Sequence, residues 1–216
     1  MRWSASTSPT CPPPTASPSV AGSPRIGVLA LQGDVREHVR TLRSLGADTA
    51  PVRRAEDLAD VDGVVLPGGE SSVIDKLARS FGLAEPLTES IRAGLPVYGT
   101  CAGLILLADR LKGGIVGQRT FGGIDVTVRR NAFGGQAESF ETALVVPALG
   151  GPPVEATFIR APLVVETGPD VEVLATLGDG GVVAVRHGNA IGTAFHPEVT
   201  GERRFHELFL AIVDAA

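Results

Sequence analysis

The chain predicts an α/β fold, a mixed and mostly parallel sheet with helices on both faces. Three observations carry this. Strand, glycine turn and helix recur three times in the first half. The first of these strands, residues 26–31, is continuously apolar rather than alternating, as a strand buried on both faces must be. Beyond Gly113 the texture shifts to short alternating segments punctuated by Pro and Gly, which reads as β-rich and partly antiparallel.

Taken in order, residues 26–31 form a strand, and Val35, Val39, Leu42 and Leu45 recur at helical spacing until Gly46 stops the helix. Val64-Val65-Leu66 enters the Pro67-Gly68-Gly69 turn, and residues 71–78 read as a helix. A third unit runs from Pro96 through Cys101 to Arg110. Repeated units of this kind imply βαβ crossovers, which place sites at the carboxyl ends of the strands. Later strands are expected at residues 124–128, 156–159, 171–174, 182–185 and 190–195. An amphipathic helix over 201–215 turns Phe205, Leu208, Phe209 and Ile212 inward.

Length and composition bound the function. At 216 residues, with 44% hydrophobic residues and a net charge of -5, the chain is one ordinary domain. Lys and Arg are scattered and aromatics few, so no nucleic-acid partner is indicated. Residues 1–24 are rich in Pro, Ser and Thr, cannot offset their ordering entropy, and are expected to be a disordered tail on a domain spanning 25–216. The tail lacks the apolar stretch of a secretory signal, and nothing later approaches the roughly 18 apolar residues of a membrane span. Of two cysteines, Cys11 sits in the tail, which excludes a disulfide framework and fits a reducing cytoplasm. With neither a Walker A sequence nor a Gly-x-Gly-x-x-Gly, direct nucleotide use is not indicated.

The chemistry concentrates at three places. In Gly99-Thr100-Cys101-Ala102-Gly103 a strand turns sharply into a helix, displaying the Cys101 sulfur at a helix N-terminus where negative charge is favoured. A core cysteine is the competing reading, because residues 104–108 are plainly apolar. In Phe195-His196-Pro197-Glu198 a buried strand delivers His196 to its end, and Pro197 keeps His196 out of helical conformation. In extended chain Glu198 then lies beside the imidazole and orients it, although a surface histidine beside a solvated glutamate would look the same. Pro67-Gly68-Gly69-Glu70-Ser71 offers backbone amides: Gly69 N–H and Ala102 N–H form a candidate oxyanion pair, or the glycines serve only the turn, with Ser71 as a helix cap. Together they suit acyl transfer through a thiol.

These three motifs resemble class I, triad-type glutamine amidotransferases, whose domain is flavodoxin-like. Gly27-Val28-Leu29-Ala30-Leu31-Gln32-Gly33, Arg36-Glu37-His38, Arg130-Asn131-Ala132-Phe133-Gly134 and Phe158-Ile159-Arg160-Ala161-Pro162 resemble more closely the glutaminase subunits of pyridoxal 5'-phosphate synthase. The resemblance runs from about Ile26 to the end. It implies hydrolysis of L-glutamine to glutamate and ammonia, and delivery of the ammonia to a synthase subunit that makes vitamin B6 in its cofactor form. It further implies Cys101 as nucleophile, His196 as acid and base, Glu198 as its orienting carboxylate, and glutamine binding by Gly69, Glu70, Ser71, Arg130, Ile159 and Arg160. No metal and no cofactor is implied, and low activity is expected of the subunit without its partner. His187 and His206 match no motif and read as structural. Gly135-Gln136 departs from the Arg-Gln of the family, removing a cation beside the site. An amidotransferase for another synthase, a γ-glutamyl hydrolase or a silent interaction module remain the alternatives.

Overall fold

The apolar run after Arg25 becomes β1 (Arg25–Leu29), buried at every position but its first. The chain continues through α1 (Val35–Ser44), β2 (Asp48–Val52), a 3-10 turn (Ala55–Leu58), β3 (Gly63–Leu66), α2 (Ser71–Ser80) and α3 (Ala84–Arg92). Next come β4 (Val97–Thr100), α4 (Ala102–Leu107), β5 (Ala108–Lys112) and β6 (Ile124–Arg129). β7 (Ser139–Leu144) and β8 (Val154–Ile159) pair as a separate antiparallel ribbon. The chain then runs through β9 (Leu163–Thr167), β10 (Glu172–Thr176), β11 (Val182–His187), β12 (Ala190–Thr193), α5 (Pro197–Thr200) and α6 (Arg204–Ala215). This computed structural model describes residues 22–132 and 139–216. The tail expected over 1–24 therefore lies outside the described residues up to residue 21, as do Phe133, Gly134, Gly135 and Gln136.

The main sheet runs β2-β1-β3-β4-β12-β11-β9-β6-β5, with β10 on β11. Pairing is parallel from β2 to β12, antiparallel from β12 through β11 and β9 to β6, and parallel again between β6 and β5. Alternation along β4 sorts the two covering layers. Tyr98 faces one way, its ring 5.3 Å from His206 and 6.1 Å from Phe209 of α6. Gly99 faces the other way, where an added Cβ would strike the backbone of Gly103 in α4. That bare Gly99–Gly103 contact lets α4 lie directly on β4. Among the described residues no helix is long and apolar enough to cross a membrane.

One local reading needs correction, and two elements had no sequence signal. The helix expected to reach Arg110 stops at Leu107, because Phe121 and Gly122 N–H both donate to Leu106 O and Ala108 turns extended to pair with Ile124. β2 was not legible: Asp48 and Pro51 argue against a strand, yet an edge strand bonded on one side only tolerates both. α3 likewise hides behind Pro86, which sits in its first turn where no N–H is needed.

Candidate active site

Parallel pairing of β12 with β4 places Thr193 beside Thr100, so both strands end at the same point on the sheet's edge. Cys101 follows β4 with φ 48 and ψ -98, its N–H donating to Thr193 O at 2.7 Å. A non-glycine residue in this region is strained, as at a nucleophile elbow. Its side chain is less displayed than the sequence suggests. Cys101 is only 7% exposed, so the core and nucleophile readings describe one nearly buried sulfur.

His196 leaves the end of β12 and meets this sulfur within hydrogen-bonding reach. Its Nδ1 lies 2.9 Å from Glu198 Oε1 and 3.4 Å from Asp34 Oδ2. A carboxylate only accepts, so Nδ1–H donates and Nε2 is left for the thiol. The His196–Glu198 pairing holds, but not by extended chain: Pro197 starts the single turn α5, with His196 as its N-cap and Glu198 in its first turn. Burial pushes the imidazole down, and hydrogen bonds to Asp34, Cys101 and Glu198 overcome it, raising His196 to about 12. Burial also pushes the Glu198 carboxyl up. One proton is thus contested, and with Asp34 as a second anion it stays on His196. Asp34, His196 and Glu198 put three potential ligand atoms within 4.8 Å, a donor set suited to a cation, but both carboxylates are already turned on the imidazole N–H.

The turn after β3 closes the site from the side. Gly68 must lack a side chain, since a Cβ there would strike the His196 ring. Its carbonyl accepts the Asp34 N–H at 3.1 Å, which fixes the plane of the peptide bearing Gly69 N–H. Gln32 Oε1 accepts the Glu70 N–H at 2.7 Å. Glu70, rather than Ser71, caps α2 through Ser72 N–H. Arg130 joins this wall: its guanidinium meets Glu70 Oε1 at 2.6 Å and Gln118 Oε1 at 2.9 Å, while Gln118 Nε2 donates to Ser71 Oγ at 3.0 Å.

Ile159 ends β8 and Arg160 follows it, both exposed, and their neighbours tie this segment to the site through backbone: Ala132 N–H donates to Ala161 O, and His196 N–H to Thr157 O. Among the described residues only Cys101, Asn131 and Arg160 are non-glycines with positive φ, and each lies in one of the motifs beginning at Gly99, Arg130 and Phe158.

Two of the site's residues escaped the sequence reading, and a third, His38, lay in a motif of the resemblance without a stated role. Gln118 and Asp34 sit in no motif, although Asp34 directly follows Gln32-Gly33. His38 Nε2 lies 3.6 Å from Glu198 Oε1 and 3.1 Å from Thr100 Oγ1, and its Nδ1 lies 2.9 Å from His206 Nε2. His187, away from these motifs, has its Nδ1 3.3 Å from both Asp125 N and Gly123 O.

A strained thiol elbow, a carboxylate-held imidazole and a glycine amide loop on a sheet of this kind define a glutamine amidotransferase of the triad type. The chain belongs to the SNO glutamine amidotransferase family, which matches it over residues 28–215. It is 64% identical over 194 residues to a Leifsonia xyli subsp. xyli protein named Pyridoxal 5'-phosphate synthase subunit PdxT, covering 90% of this chain and 98% of that one. A protein of the same name from Clavibacter sepedonicus is 63% identical, covering 89% and 92%. A solved structure described as a glutamine amidotransferase superposes with a TM-score of 0.81 at 43% identity, covering 88% of this chain and 98% of its own.

Proposed function

We propose that this chain is the glutaminase subunit of a pyridoxal 5'-phosphate synthase, hydrolysing L-glutamine and handing the ammonia to a synthase subunit. The observation that carries the chemistry is the placement of one imidazole between the Cys101 thiol and Glu198. In this reading Cys101 Sγ attacks the side-chain carboxamide carbon of glutamine. Gly69 N–H and Ala102 N–H hold the oxyanion, the latter free of an intrahelical acceptor at the first position of α4.

An imidazole held near 12 is already charged at neutral pH. It therefore acts first as the acid, giving its Nε2 proton to the leaving nitrogen as the C–N bond breaks and a thioester forms. Acylation removes the sulfur's charge, one of the causes holding His196 up. The imidazole then takes a proton from water, whose oxygen displaces the thiol and releases glutamate.

Arg130 is the cation closest to Glu70 and Ser71 and suits the substrate α-carboxylate, with Glu70 turned toward its α-ammonium group. Ile159 and Arg160 form the rim. Identity of 64% over nearly the whole chain favours the pyridoxal phosphate pathway over another synthase or a γ-glutamyl hydrolase. The intact Cys101, His196 and Glu198 argue against a silent module. The partner is a separate synthase chain in a hetero-oligomer, and the setting is the cytoplasm. Ammonia release from L-glutamine, measured with and without the synthase subunit, tests this: release should rise severalfold on assembly, and none in either state would refute the assignment.

A further inference from the structure

The buried polar groups that this chemistry leaves unused lie behind Glu198. His38 of α1, His206 of α6 and Thr100 of β4 have no solvent exposure, and the Tyr98 ring stands edge-on to both imidazoles at 6.4 and 5.3 Å. The 2.9 Å contact between His38 Nδ1 and His206 Nε2 needs one donor and one acceptor. If His38 donated, His206 would carry its proton on Nδ1, a buried atom with no partner. His38 Nε2 would then aim a lone pair at Glu198 Oε1, 3.6 Å away. If His206 donates instead, the partnerless atom is a bare lone pair, and His38 Nε2–H turns to Thr100 Oγ1 and the Glu198 carboxylate. Only the second arrangement puts positive rather than negative potential on the buried anion.

We propose that His38 and His206 are positioning residues of the glutaminase centre, two neutral imidazoles that pass one N–H dipole onto Glu198 and hold its carboxylate against His196. The proposal rests on the glutaminase reading of Cys101, His196 and Glu198. Four groups face Glu198: His196 from its own turn, Asp34 and His38 from the start of α1, and Tyr98 from β4. His38 is the one neutral donor among them that can reach the carboxylate from behind. Burial, with His206 and His196 adding to it, holds His38 well below 6.5. Burial likewise takes His206 to about 4 against the pull of Glu202, so both stay uncharged near neutral pH.

The test compares the holo-complex carrying His38→Leu with that carrying His38→Gln, whose amide nitrogen reaches the place of imidazole Nε2. His38→Leu should lower kcat about 30-fold with KM within about twofold. It should also move the acidic limb of kcat/KM up by about half a pH unit, because a carboxylate deprived of its donor protonates sooner. His38→Gln should restore kcat to within about threefold of the parent. Equal impairment of both variants at matched Tm, with no shift of the limb, would overturn the proposal. Nitrogen-15 NMR of the histidine-labelled complex reads the relay without turnover. Neutral Nε2–H tautomers on both rings at pH 7 are expected, and an Nδ1–H tautomer on His38 or an imidazolium on either ring would overturn it. A parent complex that releases no ammonia refutes the glutaminase reading instead, and leaves the NMR result standing by itself.

Discussion

Two histidine environments meet at Glu198, and one comes out charged and the other neutral. On one side His196 is buried but has Glu198 at 2.9 Å, Asp34 at 3.4 Å and the Cys101 sulfur around it, and it is raised to about 12. On the other side His206 is buried against the Tyr98 ring with a second imidazole as its polar neighbour, and it falls to about 4. Burial acts in the same direction on both. Anions within hydrogen-bonding distance decide the sign, and the molecule spends them on the histidine that touches the thiol.

The comparison can be broken at several points. Cys101→Ala should lower glutaminase turnover about 10⁴-fold or more, and size-exclusion chromatography with the synthase subunit should still show assembly. Glu198→Gln keeps the shape of the side chain but removes the anion, so His196 should lose both tautomer and charge. A fall in kcat of about 10³-fold is expected by steady-state assay.

The neutral side predicts a stability effect. His206 binds a proton at pH 6.5 when unfolded and only near 4 when folded. The His206 contribution to stability is therefore complete above 6.5 and is lost as pH falls through 6.5 toward 4, by about 3 kcal/mol. Denaturant titrations across that window should show the slope, and His206→Gln should make it shallower from a lower starting stability, leaving the part that His38 contributes. Asp34→Asn makes the smallest change. Asp34 is partly exposed, so its removal should cost only about threefold in kcat, while an NMR titration shows His196 deprotonating earlier.

The charged side was legible in the sequence, and the neutral side only in part, through the motif that carries His38. Gly99-Thr100-Cys101-Ala102-Gly103 and Phe195-His196-Pro197-Glu198 are local: strand end, turn and side chain lie within five residues. The elbow followed from that spacing, and Pro197 correctly kept His196 out of the helix. The extended geometry given to Glu198 was wrong, because Pro197 favours the first turn of a helix as well as a break before one.

His38, Asp34 and Gln118 reach the site only through packing. His38 and His206 are 168 positions apart, and each looks like a histidine on the face of an ordinary helix until α1 and α6 share one side of β4. No periodicity carries that information. β2 and α3 were obscured for a different reason, since Pro51 and Pro86 sit at the edge-strand and first-turn positions where proline costs least.

In the proposed chemistry His196 keeps the Cys101 sulfur ready to attack a glutamine side chain. A chloroketone analogue of L-glutamine, which puts an electrophilic carbon near the place of the carboxamide, tests it on the assembled complex by peptide mass spectrometry. The chain has one other cysteine, Cys11, as an internal control. A single adduct on Cys101, prevented by excess L-glutamine and lost in His196→Ala, is the predicted result. Labelling of Cys11 with Cys101 untouched, or labelling of Cys101 that persists unchanged in His196→Ala, would contradict it.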